Sequence, residues 1–135
     1  MSVADKIVVD ASVVMAVVLN APEKAGIISA TKSGILLSPG CLTWEVGNAF
    51  SAMLKRNRLT LAEVEAGLAS FEGIPIEESG VDLKSAMRLC KKHRIYAYDA
   101  YYLELSLRAS LPLLTLDGRM AQVAVAEGIK IREIS

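Results

Sequence analysis

Four acidic side chains stand where the chain passes from one structural element to the next, or just inside a helix: Asp10, Glu45, Asp99 and Asp117. Asp10 ends the apolar run Ile7-Val8-Val9, and Asp117 ends Leu113-Leu114-Thr115-Leu116. Asp99 opens an amphipathic stretch, and Glu45 lies in the first turns of another. When strands and helices alternate, parallel strands bring their carboxyl ends to one edge of the sheet. Carboxylates gathered there make an oxygen-lined site for a hard divalent cation such as Mg²⁺ or Mn²⁺. Chemistry on phosphate esters is the usual use of such a site. Two hydroxyls flank the acids, Ser12 just after Asp10 and Thr115 just before Asp117. Hydroxyls in those places orient carboxylates or bind a metal-bound water.

Each acid taken alone has a plainer explanation. An aspartate that precedes or opens a helix is an ordinary N-cap, worth ~1 kcal/mol. A glutamate in a first turn suits the helix dipole. As a set they are harder to explain that way. Asp10 and Asp117 follow strands expected to be parallel, so they emerge on one sheet edge, and Asp99 begins the helix that leads into the second of those strands. Like charges brought together cost free energy unless a cation offsets them. A shared metal site therefore ranks above four independent caps.

Bulk properties narrow the classes. A chain of 135 residues fits one domain, residues 1–135, with room for a core. Hydrophobic residues make up 53%, and the mean hydropathy of +0.38 speaks against disorder. The longest purely apolar stretch, Val13 to Leu19, is far short of the ~20 residues a spanning helix needs. The start, Met1-Ser2-Val3-Ala4-Asp5-Lys6, has no signal-peptide character, so the expected location is cytoplasmic and away from membranes. Two distant cysteines, Cys41 and Cys90, and the single His93 cannot assemble a thiolate zinc site, so any metal must be held by oxygen. Charge is balanced at 15 basic and 15 acidic residues, so nucleic-acid contact would use local basic groups rather than a global field.

The elements that would position the acids follow from patterning. Strands are expected at residues 6–9, 35–38, 74–76, 113–116 and 129–134, the third at a sheet edge because of Pro75. Helices are expected over 12–20, from Pro22 to about 32, over 42–56, from the capping box Thr60-Leu61-Ala62-Glu63 to about Gly73, from the start signal Ser79-Gly80-Val81-Asp82 onward, over 99–109 and over 117–127. Leu42, Val46, Ala49, Phe50 and Met53 share one helix face, as do Leu83, Ala86, Met87 and Cys90. This alternation reads as an α/β fold, a three-layer arrangement with a central parallel sheet of about five strands and helices on both faces.

These residues also resemble a known family. Val8-Val9-Asp10-Ala11-Ser12, the stretch from Pro39 through Glu45 to Asn48, Tyr98-Asp99-Ala100-Tyr101-Tyr102-Leu103 and Leu114-Thr115-Leu116-Asp117-Gly118-Arg119-Met120 are similar, in order and spacing, to the motifs of PIN-domain nucleases. Within these the likeness is to the VapC-like toxins of bacterial and archaeal toxin–antitoxin modules, and it covers nearly the whole chain. The resemblance implies a metal-dependent endoribonuclease that uses Mg²⁺ or Mn²⁺. Asp10, Glu45, Asp99 and Asp117 match its catalytic acids, with Asp10, Asp99 and Asp117 as metal ligands, and Ser12 and Thr115 match its hydroxyl positions. It also implies an RNA substrate, a VapB-like antitoxin and a homodimer.

Supporting residues have two readings each. Arg119, beside Asp117, is a candidate for guiding RNA, as are Lys55-Arg56-Arg58 and Lys91-Lys92-Arg94, although basic helix ends also complement dipoles. His93 is assigned to such a basic helix end. Of Tyr96, Tyr98, Tyr101 and Tyr102, one or two are expected to stack bases and the others to pack inside. Trp44, Met53, Leu54, Leu61 and Leu68 form either an exposed groove or a buried hairpin. Rival functions are an RNA-processing nuclease without antitoxin and a catalytically inactive binding module. A haloacid-dehalogenase-type phosphatase is disfavoured, because position 12 is Ser where that chemistry needs Asp.

Overall fold

The β-branched and leucine-rich runs pair as one parallel sheet. A computed structural model of the chain describes residues 5–134. Its strands are β1 (Lys6–Val9), β2 (Ile35–Pro39), β3 (Ile76–Ser79) and β4 (Leu113–Leu114), in the spatial order β3-β2-β1-β4. All pairings are parallel, with Ile7 beside Leu36, Leu37 beside Glu77 and Val8 beside Leu113. Parallel neighbours need long crossovers, and helices supply them. These are α1 (Ala11–Val18), α2 (Lys24–Thr31), α3 (Cys41–Lys55), α4 (Leu61–Glu72), α5 (Leu83–His93), α6 (Ala97–Ala109) and α7 (Gly118–Ala126). The chain builds outward from β1 to β2 to β3, then returns to the far side of β1 as β4. The order therefore reverses between β1 and β4, and in open α/β sheets ligands bind beyond the strand ends at that reversal.

The sheet has four strands rather than about five. Residues 129–134, expected as a strand, make a single bridge from Ile131 to Leu113. Leu113 donates to the Lys130 carbonyl at 2.9 Å and Arg132 donates to the Leu113 carbonyl at 2.9 Å, and the pairing ends there. β4 is itself shorter than expected: its partner β1 ends at Val9 and gives way to α1, and the Leu116 N–H goes to the Ser12 hydroxyl instead of a ladder. A two-residue strand leaves little ladder for a further neighbour. β3 starts just past Pro75 and, as expected, lies at the edge.

Helix ends follow local chemistry. The Thr60–Glu63 capping box is formed in both directions, with bonds of 2.9 and 3.1 Å. Asn57 closes the turn after α3 in the left-handed region, at φ 56°. α6 begins earlier than expected, after Tyr96, so Asp99 sits inside its first turn and is not its cap. On α5 the expected apolar stripe divides: Ala86 and Leu89 are buried, whereas Leu83 and Met87 face solvent.

The core lies between the sheet and its helices. Ile7, Val8 and Val9 are closed off on both faces of β1, and Tyr102, Leu103 and Leu105 of α6 are as fully buried. Burying each such side chain contributes about 1.5–3 kcal/mol. One buried carboxylate ties α6 to the start of α5: Glu104 accepts from Arg108 at 2.9 and 3.0 Å and from the Asp82 N–H at 2.6 Å. Among the described residues, no helix is long and apolar enough to cross a membrane.

The contact of α3 with α4 depends on Gly67. A Cβ there would stand 2.6 Å from Cζ of the buried Phe50. Gly67→Ala should therefore lower stability by about 1–3 kcal/mol, even though alanine in a free helix is favoured by ~1 kcal/mol. Urea unfolding measures the sign, and a gain in stability would contradict this packing.

Candidate active site

Asp10 begins where β1 ends. It is the N-cap of α1, and its Oδ1 accepts from the Val13 N–H at 3.2 Å. Capping does not use it up. Oδ1 also accepts from the Ser12 hydroxyl at 2.6 Å, and Oδ2 accepts from the Thr115 hydroxyl. Both hydroxyls accept in turn from the chain leaving β4: Ser12 Oγ from the Leu116 N–H at 2.9 Å, and Thr115 Oγ1 from the Asp117 N–H at 3.0 Å. Asp10 is only 3% exposed. Burial pushes its carboxyl up from the usual carboxylate range, the three donors pull it back, and the Asp117 charge raises it further.

The other acids arrive from three helices. Asp117 caps α7 through Oδ1, which accepts from the N–H groups of Arg119 at 2.9 Å and Met120 at 3.2 Å. Asp99 projects from the first turn of α6. Its carboxyl is raised by burial first, then by the charges of Asp117 and Asp10, with Arg119 acting the other way. Glu45 lies on α3, where Oε2 accepts from the Tyr102 hydroxyl and from the Cys41 thiol at 3.6 Å. Burial raises the Glu45 carboxyl, its two donors lower it, and the charges of Asp10 and Asp99 raise it again. Burial, followed by the Glu45 charge, pushes the Cys41 thiol up to about 12, so it is a neutral donor at physiological pH.

All four carboxylates therefore meet at one end of the sheet, each close enough to at least one of the others to feel its charge. Their all-oxygen donor set suits a hard divalent cation. Their mutual repulsion is the condition that such a cation relieves. The cluster is open rather than closed: among the described residues, no three His, Cys, Asp or Glu side chains are arranged to hold an ion.

Arg119 is exposed at the rim, where its Nη2 donates to the His93 carbonyl at 3.0 Å, tying the end of α5 to the start of α7. The His93 ring pairs with Glu127 at 2.7 Å, and Lys92 joins the same carboxylate at 2.8 Å, as suits a basic helix end. Tyr102 is completely buried, Tyr96 is 86% exposed, and Tyr98 and Tyr101 pack ring to ring at 6.0 Å. The roles of Tyr102 and Cys41 against Glu45 are absent from the sequence-based expectations. Their spacing does carry the signal: Tyr102 is one turn beyond Asp99, and Cys41 one turn before Glu45. Of the apolar residues on α3 and α4, Trp44 and Leu61 are exposed, while Met53, Leu54 and Leu68 are half-buried.

A family model for the PIN domain matches residues 7–126. The chain belongs to the PIN domain family. It is 28% identical over 119 residues to Ribonuclease VapC3 of Mycobacterium tuberculosis, covering 87% of each chain. Among solved structures it is similar to PAE2754 from Pyrobaculum aerophilum, with a TM-score of 0.70 and 21% identity over 90% of this chain and 87% of that one. It is also similar to VapC20 of Mycobacterium tuberculosis, described as a sarcin-ricin loop cleaving toxin, with a TM-score of 0.61 and 14% identity over 94% of this chain and 99% of that one. Both structural likenesses fit the α/β fold with a parallel sheet described above.

The carboxyls of Asp10, Glu45 and Asp99 all lie above their ordinary values. The stability linked to them is therefore greatest below the normal carboxylate range, near pH 4, and is lost as pH rises through the raised values. Without divalent cations, Asp99→Asn should melt above the parent at pH 7.5, by on the order of 3 °C. The difference should shrink as pH falls towards and below about 4, where Asp99 becomes protonated in both the folded and the unfolded chain. Thermal melts in EDTA across that range test the sign, and an Asp99→Asn variant less stable than the parent at pH 7.5 would show that these carboxylates do not repel.

Proposed function

We propose that this single-domain chain is a Mg²⁺- or Mn²⁺-dependent endoribonuclease and the toxin component of a VapBC-type toxin–antitoxin module. The observation that carries this reading is the meeting of Asp10, Glu45, Asp99 and Asp117 at the strand-order reversal, where burial, with like charges adding to it, raises the carboxyls of the first three. The ribonuclease name of the curated relative and the RNA-cleaving description of VapC20 support the choice of substrate.

Asp10, Asp99 and Asp117 are the residues that would hold the cation. Bound there, Mg²⁺ or Mn²⁺ supplies Lewis acidity towards water and the scissile phosphate. The protein's part is positional and electrostatic. Asp10 is fixed by Ser12, Val13 and Thr115, so one ligand arrives preorganised. Asp117 is oriented by two N–H groups of α7. With its ring engaged by Glu127, His93 is not needed as a base or nucleophile. Arg119 at the rim and the basic end of α5 would receive the RNA backbone, and the exposed Tyr96 offers a face for a base. Trp44 and Leu61 present apolar surface on neighbouring helices that an antitoxin segment would cover, and homodimer formation and cytoplasmic action belong to the same reading.

Purified protein should cut RNA with Mg²⁺ or Mn²⁺ and stop when EDTA is added. Asp10→Asn and Asp99→Asn should each reduce cleavage at least about a hundredfold while circular dichroism stays native. Cutting that survives EDTA or both substitutions refutes the nuclease assignment. Expression of the parent should arrest growth, and co-expression of an adjacent antitoxin should relieve it. Arrest-free expression of an active nuclease would favour an RNA-processing role.

A further inference from the structure

Tyr102 reaches the acidic centre but has no role in the proposed chemistry. Its ring is fully buried, yet its hydroxyl donates to Glu45 Oε2 across the junction of α6 and α3. Two helical spacings produce this contact. On α6, Asp99 and Tyr102 share one face a turn apart, so the helix that delivers Asp99 also delivers the phenol. On α3, Cys41 and Glu45 share a face, and the thiol reaches the same Oε2 at 3.6 Å. Both donors converge on one oxygen, which leaves Oε1 free of them.

We propose that Tyr102 is a positioning residue for the candidate nuclease site, and that its hydroxyl, seconded by the Cys41 thiol, holds the Glu45 carboxylate in a single orientation towards the carboxylate cluster. This deepens the ribonuclease reading and rests on it for the catalytic consequence. The geometric part stands without it. Glu45 sits among like charges, and an unrestrained glutamate there would swing away from Asp10 and Asp99 into water. A neutral donor is the appropriate restraint: it fixes the carboxylate without cancelling the negative charge that a cation would need. The phenol suits this task because its buried ring gives the hydroxyl a fixed origin, which a flexible lysine does not have. The thiol is the weaker donor and contributes less.

Tyr102→Phe keeps the ring and removes only the hydroxyl. In the full chain with RNA and Mn²⁺, kcat should fall about tenfold with KM nearly unchanged. Combined with Glu45→Ala, the substitution should have no further effect on kcat, since Tyr102 acts through Glu45. Independent additive losses in that cycle, or an unchanged kcat in Tyr102→Phe, overturn the proposal. A second measurement needs no activity: with isotope-labelled glutamate, the Glu45 side chain should hold one rotamer in the parent and average over several in Tyr102→Phe. A single rotamer in both proteins overturns the proposal even if the nuclease reading stands. If Glu45→Ala and Asp10→Asn leave cleavage intact while Glu45 averages in Tyr102→Phe as expected, it is the nuclease reading that fails.

Discussion

The burial of Asp10 is the constraint around which the rest is arranged. A carboxylate with 3% exposure is destabilising by several kcal/mol unless its oxygens are met by donors. The three donors it finds come from both sides of the strand-order reversal: Ser12 and Val13 from the start of α1, and Thr115 from the end of β4. Ser12 and Thr115 then receive N–H groups from Leu116 and Asp117. Polar satisfaction of Asp10 is thereby the same event as the docking of β4 beside β1. The site cannot be loosened without loosening the centre of the sheet.

The second consequence is a standing electrostatic load. Once Asp10 is fixed, Asp117 follows it through Thr115, and α6 and α3 bring Asp99 and Glu45 within reach of its charge. Burial, with the repulsion among them added to it, opposes the ionised forms of Asp10, Glu45 and Asp99. Asp99, which is raised by burial and by two like charges, is the plainest case. Local destabilisation that the surrounding packing tolerates is what a functional site is expected to show. Helix capping alone does not explain it, since Asp99 and Glu45 cap nothing here.

Most of this is legible in the sequence where two signals coincide. Asp10 and Asp117 combine a strand end with a helix start, and the structure uses both meanings at once: each is a cap and each joins the cluster. The Thr60–Glu63 box, the edge position of the third strand and the buried face of α3 are equally plain. The misses share a cause, which is that tertiary hydrogen bonds override local patterning. The run 113–116 reads as a four-residue strand, but β1 ends beside Leu114 and the Leu116 N–H is diverted to the Ser12 hydroxyl. The run 129–134 has strand character, but its partner is too short to continue a ladder. The stripe Leu83, Ala86, Met87, Cys90 promises an inward face, yet Glu104 and Arg108 hold the start of α5 at an angle that buries Leu89 instead of Met87. No periodicity announces a buried Glu104.

α6 shows why its neighbours matter as much as the acids themselves. From Ala100 to Ser106 it is buried nearly all round, so that stretch has no solvent face on which to place polar groups. It carries them inside, and their spacing separates their duties. Asp99 and Tyr102, a turn apart, look towards the carboxylates and Glu45. Glu104 lies roughly half a turn from Tyr102 around the axis, so it looks the other way, to Arg108 and the Asp82 N–H. The helix is thus pinned on opposite sides by hydrogen bonds of fixed geometry. Sliding it would break both sets at once, and rotating it would expose one while burying the other unpaired. Apolar packing alone would allow either motion at modest cost, because neighbouring leucines and alanines can exchange places along a groove. The polar pins remove that freedom. They set the position of Asp99 relative to Asp10 with no hydrogen bond between the two.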